Sequence, residues 1–435
     1  MTRFFILIMT LFIGLSAHAA IWNDTNEWTP DWEAHYADWV RTNWNVNFFA
    51  TPTLANGDKN PYYGLNMDCA DTVYSMRIIF ASQNALPFIV QDPSAYGHTL
   101  SNRMSRWDSQ DQYTKVRNFL RYMYDILSTR SLPEDTYPVA VTRDTVHAGG
   151  LMMTVAKNHH SWTIKDILPI GVPYLIYNST VGSATTLTLQ ERQSWPNPGW
   201  VFEGDQTPAG NGGFRYWRPA AYLNQPIWKV PGYSEEQYSI PLNRWVKWAR
   251  ARLALSTEQD QPMMVRMMYV VCQGATGRIE SVNEALQFLQ RNNSCMSADD
   301  YDNYSTPSRD HRVFDDIMAL RRAYKDILAR NNGKDLTPAT KAQLDKIYPF
   351  ITQHATYEAA HSQREGLNAD SYCSFTYAPG RTIDIAEFKR RMFLGNISNN
   401  PNDSVEYRWG ELSSPSAKAR SCPSADVWTP NLNAE

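Results

Sequence analysis

The chain has 435 residues, 43% of them hydrophobic and 13% aromatic, enough to bury the cores of two or three domains. Its 41 Lys and Arg against 44 Asp and Glu leave a net charge of −3, which excludes both an intrinsically disordered chain and a strongly basic nucleic-acid binder. With 15 Trp, 24 Tyr and 25 Pro beside five Cys, it reads as a rigid, loop-rich protein packed on aromatic rings, and the odd cysteine count asks which thiol stands apart.

Thr2-Arg3, the apolar run Phe4 to Leu15 and the small residues of Ala17-His18-Ala19 form a secretion signal over residues 1–19. About a dozen apolar residues cannot cross a ~30 Å hydrocarbon core as a helix, and no later stretch is long and uncharged enough to do so. The expectation is a secreted or periplasmic protein with no membrane span and no nucleic-acid partner, in a compartment that permits disulfides.

Next in the chain, Trp22, Trp28, Trp32, Tyr36, Trp39 and Trp44 crowd together. Thr29-Pro30 is a cap and first-turn pair, and the rings that follow recur at helical spacing, which predicts one aromatic helix face packed into a core. Residues 66–81 read as a second helix, with Cys69, Val73, Met76 and Phe80 on one face; a third covers 109–128 and ends at Ser131-Leu132-Pro133. From 137 to 180 the texture is that of strands: 137–141, 151–155, 160–167 and 173–179, separated by Gly149-Gly150 and Pro169-Ile170-Gly171. Residues 194–241, rich in Pro, Gly, Trp and Tyr and without a usable period, read as a long ordered loop wrapping the sheet. Helical patterns resume at Leu242 and recur through Ile347. Helices first and sheet second is an α+β order. It gives a first domain over 20–241, a mainly helical domain over 242–365 and an irregular, disulfide-bearing tail over 366–435.

Cys272, Cys295, Cys373 and Cys422 lie in the C-terminal half, and Cys69 stands alone about 200 residues upstream. Four cysteines allow three pairings; local loops, Cys272–Cys295 and Cys373–Cys422, are the expectation. No two Cys have zinc-ribbon spacing, and Asp299-Asp300-Tyr301-Asp302 lacks the Gly and closing Glu of a calcium loop, so no metal or other cofactor is expected.

Cys69 begins a predicted helix, where free N–H groups and the macrodipole favour a thiolate and its own N–H can serve an oxyanion. Asp68 and Asp71 oppose that by charge or cap the helix, so activation depends on a histidine. Among the candidates His147, His159 and His160, the third alternates with Trp162 and Ile164 on a strand. A hairpin folding about Ile170 sets residues summing to roughly 340 opposite each other, bringing His160 near Asn178, which then orients the imidazole. Asp166, the rival orienter, is about 20 Å away along an extended strand.

Pro61-Tyr62-Tyr63-Gly64, followed by Asp68-Cys69-Ala70 at a helix start, resembles the NlpC/P60 group of papain-like cysteine hydrolases, in which Pro-Tyr-x-x-Gly precedes Asp-Cys-Ser. The downstream order of strands is similar too, and transglutaminase-like relatives share it. The likeness spans roughly residues 60–180. It implies a papain-like helix-plus-antiparallel-sheet fold with Cys69 as nucleophile, His160 as base and Asn178 as orienter. By the same resemblance Tyr62 or Tyr63 lies near the oxyanion, with Asp68 in the adjoining motif, and the substrate is a peptide or peptidoglycan amide. Apart from the resemblance, Arg215, Trp217 and Arg218 in the Gly-rich loop are candidates to grip an anionic or glycan substrate. Two rivals stand beside hydrolysis: a transglutaminase-like acyl transfer, and a non-catalytic wall-binding or structural role.

Overall fold

The computed structural model describes residues 20–434 except 55–56, 156–158, 179–187, 293, 365, 413–420 and 423–427; the expected secretion signal lies outside the described residues. It is a mixed α+β protein built on a six-stranded antiparallel sheet. The first half carries helices α1 (Pro30–Asn43), α2 (Cys69–Gln83) and α3 (Gln112–Ile126), a small hairpin of β1 (Ile89–Gln91) and β2 (Thr99–Ser101), and the single turn α4 (Leu132–Asp135). Strands β3 (Thr136–Pro138), β4 (Leu151–Thr154), β5 (His160–Ile167), β6 (Pro173–Tyr177) and β7 (Gln190–Arg192) follow. After them come the single turn α5 (Pro198–Val201), β8 (Gly213–Trp217) and α6 (Leu242–Leu253). The sheet order is β3-β8-β4-β5-β6-β7.

Two helix starts follow directly from side-chain capping. Thr29 Oγ1 accepts the Trp32 N–H at 3.3 Å and opens α1 at Pro30. Asp68 Oδ1 accepts the N–H groups of Ala70 (2.8 Å) and Asp71 (3.0 Å), while Asp71 Oδ2 accepts the Asp68 N–H (2.9 Å). This reciprocal box opens α2 at Cys69, three residues later than the periodicity alone indicates. The aromatic face of α1 and the residue before it clamp α2: the rings of Trp28, Trp32, Tyr36 and Trp39 lie 5.9, 6.3, 5.2 and 5.8 Å from Phe80. These rings pack a core.

Residues 194–241 hold more than a loop. β8 inserts between β3 and β4, and all five of its residues are buried. Arg215 is therefore a sheet residue, donating to the Thr136 hydroxyl (2.8 Å) and carbonyl (2.9 Å). A strand covered on both faces has no polar alternation to betray it. α6 also belongs with the first half: Trp245, Ala249 and Leu253 join its core, so that core runs past 241 to Leu253.

The second core is organised by α7 (Asp260–Asn292) and α9 (Pro307–Asn331), with α8 (Ala298–Tyr304), α10 (Pro338–Ile347) and α11 (Ala355–His361) around them. The tail is not irregular throughout. It forms the hairpin β9 (Phe375–Ala378) and β10 (Arg381–Ile383), then α12 (Ile385–Phe393) and α13 (Val405–Arg408). Phe375, Tyr377, Phe388, Met392 and Trp409 are buried in the second core. The disulfides are Cys272–Cys373 and Cys295–Cys422, which corrects the local pairing. Cys272 lies within α7, whose 20 remaining residues rise ~30 Å before Cys295 is reached. A disulfide needs its Cα atoms within about 7 Å.

Candidate functional site

Cys69 occupies the first position of α2, is partly exposed and is the one free cysteine among the described residues. Its Sγ lies 3.2 Å from the Thr129 hydroxyl. Among the described residues its own N–H has no acceptor, which leaves it available to a developing oxyanion. Burial, then the Asp68 carboxylate, pushes the thiol up to about 12. Asp68 thus caps the helix and holds the resting thiol protonated.

Side chains alternate along β5, and the alternation separates the expected pair. Ser161 and Thr163 turn toward α1 and α2: the Ser161 hydroxyl donates to the Cys69 carbonyl (2.9 Å), and the Trp44 indole donates to Thr163 Oγ1 (3.2 Å). His160, Trp162 and Ile164 turn to the other face of the sheet. There the His160 ring packs against Trp162, Tyr177 and Trp200 at 4.5, 5.5 and 5.7 Å. Burial, then the guanidinium groups of Arg312, Arg309 and Arg192, hold its pKa well below the ordinary value, so the ring is neutral. His160 and Cys69 are not brought together.

A bulge separates the expected orienter, Asn178, from His160 as well. β5 and β6 pair Ile167 with Pro173 and Asp166 with Tyr174, a sum of 340, but Ile164 with Leu175 and Thr163 with Ile176, a sum of 339. Lys165 is the extra residue, and one residue of slip moves every side chain beyond it to the other face. Asn178 consequently shares a face with Ser161. Its Nδ2 donates to the Met67 carbonyl at 2.6 Å, so it braces the segment leading into Cys69.

His159 directly precedes β5. Its Nε2 receives Arg130 Nε at 2.9 Å and Nη2 at 2.7 Å, and Arg130 directly follows Thr129, the thiol's partner. Two guanidinium donors on Nε2 require that nitrogen to be unprotonated. Adjacent residues of a strand present their side chains to opposite faces, so a His-His dipeptide leaves open in the sequence which ring shares a face with Ser161.

The remaining candidates disperse. Tyr62 is buried, stacks on Phe48 at 6.0 Å and sets its hydroxyl beside Ser82 and Gln83 at the far end of α2, away from any oxyanion at Cys69. Tyr63 is exposed, and its carbonyl accepts from Arg117. Arg215 is structural, as described. Trp217 and Arg218, by contrast, line a cavity of about 730 Å³ together with Trp28, Glu33, Arg77 and Asp135. Arg77 stacks 3.2 Å from the centre of the Trp28 ring and makes paired bonds of 2.7 and 2.6 Å to Glu33. Cys69 is not part of its wall. No family model, curated protein or solved structure matches this chain.

Proposed function

We propose that the chain is a secreted cysteine hydrolase that opens an amide bond through an acyl-thioester, with Cys69 as nucleophile and His159, rather than His160, as base. One observation carries this reading: a partly exposed thiol at the first position of a 15-residue helix packed on an antiparallel sheet, with Ser161 and Asn178 bracing the same segment and His159 held by Arg130, the neighbour of the thiol's partner Thr129. The NlpC/P60-like motif at 61–70 and the helix-then-sheet order support a papain-like arrangement, and a peptide or peptidoglycan amide is the substrate that resemblance implies. The two disulfides suit an oxidising compartment.

In the resting protein Arg130 occupies His159 Nε2. An anionic substrate group that draws Arg130 away frees this nitrogen to take the Cys69 proton. The thiolate then attacks the carbonyl carbon, and the oxyanion sits before the Cys69 N–H. The protonated His159 returns the proton to the leaving amine, and water, deprotonated by the same ring, releases the acid.

A second reading, a non-catalytic binding protein, is favoured by the raised thiol and by the separate 730 Å³ cavity. Thiol alkylation of the folded protein at pH 7 separates the two. Hydrolysis requires slow labelling at Cys69 that accelerates at least tenfold in Arg130→Ala and returns to the slow rate in Arg130→Ala/His159→Ala, with His160→Ala without effect on the rate. Amide hydrolysis on cell-wall peptides then falls by about 10³ or more in Cys69→Ala. An inert Cys69 in every variant would establish the binding reading instead.

A further inference from the structure

The face of the sheet that holds His160 meets the second core along a seam, and three arginines converge there. Arg192 ends β7, while Arg309 and Arg312 lie one turn apart on α9. With Tyr177, Gln190 and Asp316 they line a recess of about 20 Å³, room for one or two oxygen-sized atoms. Arg312 also lines an adjoining pocket of about 230 Å³, whose wall includes Trp200, Glu203, Ser308, His311 and Asp315.

Two of the three guanidinium groups are engaged. Arg192 bonds Asp316 at 3.2 Å and the Ser194 hydroxyl at 2.9 Å, and Arg309 donates to the Gly277 carbonyl. Arg312 is different. Among the described residues it has neither a hydrogen bond nor an ion pair; its one protein contact of this kind is the Trp200 ring, 5.3 Å away. Burial, with Arg309 and Arg192 close by, lowers its pKa to about 10 against the opposing pull of Tyr177 and Asp316. Nearby, His160 Nε2 is buried without a partner. Arg312 is half-buried, and the carboxylate nearest it, Asp316, is already bonded by Arg192, so its five donors are left without a protein acceptor and suit an oxyanion.

We propose that this recess binds the oxyanion head of a small ligand, a carboxylate or a phosphate, through Arg312, with the Arg309 and Arg192 charges and the Tyr177 hydroxyl around it. Glu203 and Asp315 in the outer pocket repel a second negative charge, so the body of the ligand is neutral or cationic there. The ligand bridges strands β6 and β7 to helix α9 and thereby ties the first core to the second. This site is on the opposite side of the sheet from Cys69 and does not depend on the hydrolase reading.

The test is calorimetric titration of the full mature chain at pH 7 and constant ionic strength with sodium acetate, inorganic phosphate and glycylglycine. Saturable binding of at least one anion, weakened tenfold or more in Arg312→Gln and unchanged in Arg322→Gln, is the expected result; Arg322 is exposed on the same helix. Phosphate alone binding points to a phosphorylated ligand, and tighter binding of glycylglycine than acetate points to a carboxylate zwitterion. Arg312→Gln has no protein bond to lose, so its unfolding midpoint without anion stays at or above that of the parent. Absence of saturable binding in the parent chain, equal affinity in Arg312→Gln, or a large loss of ligand-free stability in that variant would each overturn the proposal.

Discussion

Asp135 is 1% exposed, and both its oxygens are occupied: Oδ2 accepts the Tyr74 hydroxyl at 2.6 Å and Oδ1 the Gln91 N–H at 2.7 Å. Burial outweighs those bonds and raises its pKa to about 7. The folded chain thus keeps a proton that the unfolded chain releases near 3.8, and between these values folding takes up protons. Stability from this group is complete below the unfolded value and is lost as the pH climbs through about 7. Asp135→Asn, which cannot ionise, should gain on the parent from pH 5 to about pH 7 and level off above it in urea midpoints; parallel curves over pH 5–7 would refute the assignment. At this scale the sequence is legible where a side chain acts on its own backbone. Thr29 and Asp68 are read as caps because their oxygens reach N–H groups two and three residues on. Lys165 is not legible, because a bulge depends on the partner strand and leaves no mark in composition.

Helix α7 and helix α9 are joined by a pair that water does not reach. Arg278 Nε and Asp310 Oδ1 are 2.8 Å apart with both side chains fully buried, and the Thr306 hydroxyl also donates to Asp310 at 2.9 Å. Removing one partner strands the other charge, so Asp310→Asn should lower unfolding free energy by about 3–5 kcal/mol in denaturant titration. Replacing Arg322, exposed on α9, by Gln should change it by less than about 0.5 kcal/mol. The helices themselves were visible as elements because their periodicity and caps are local. β8 was not, since its register is fixed by β3 on one side and β4 on the other, and its aromatic, Gly-led sequence resembles the loops around it. The same cause hid the role of Arg215, whose acceptors at Thr136 lie 79 residues away.

Across the molecule, two cores divide the chain between Leu253 and Met264, and both disulfides belong to the second half. That the four distal thiols would pair and Cys69 stay free could be read from neighbourhood; which would pair with which could not, since the answer lies in the straightness of α7. The bridges close 101 and 127 residues of sequence and interleave, 272 before 295 before 373 before 422. This order has a consequence for biogenesis. As the chain emerges from its N-terminus, Cys272 and Cys295 become available together before either native partner, and on an unfolded chain their short loop closes most readily. The first bond a simple oxidant makes in this half is therefore a wrong one that forbids α7. Refolding the reduced chain with oxidant alone should trap Cys272–Cys295, seen by peptide mapping, while a glutathione redox couple should convert it to the native pair. Maturation of this protein accordingly calls for a disulfide isomerase, and the yield in a host without one should be governed by thiol exchange rather than by the stability of either core.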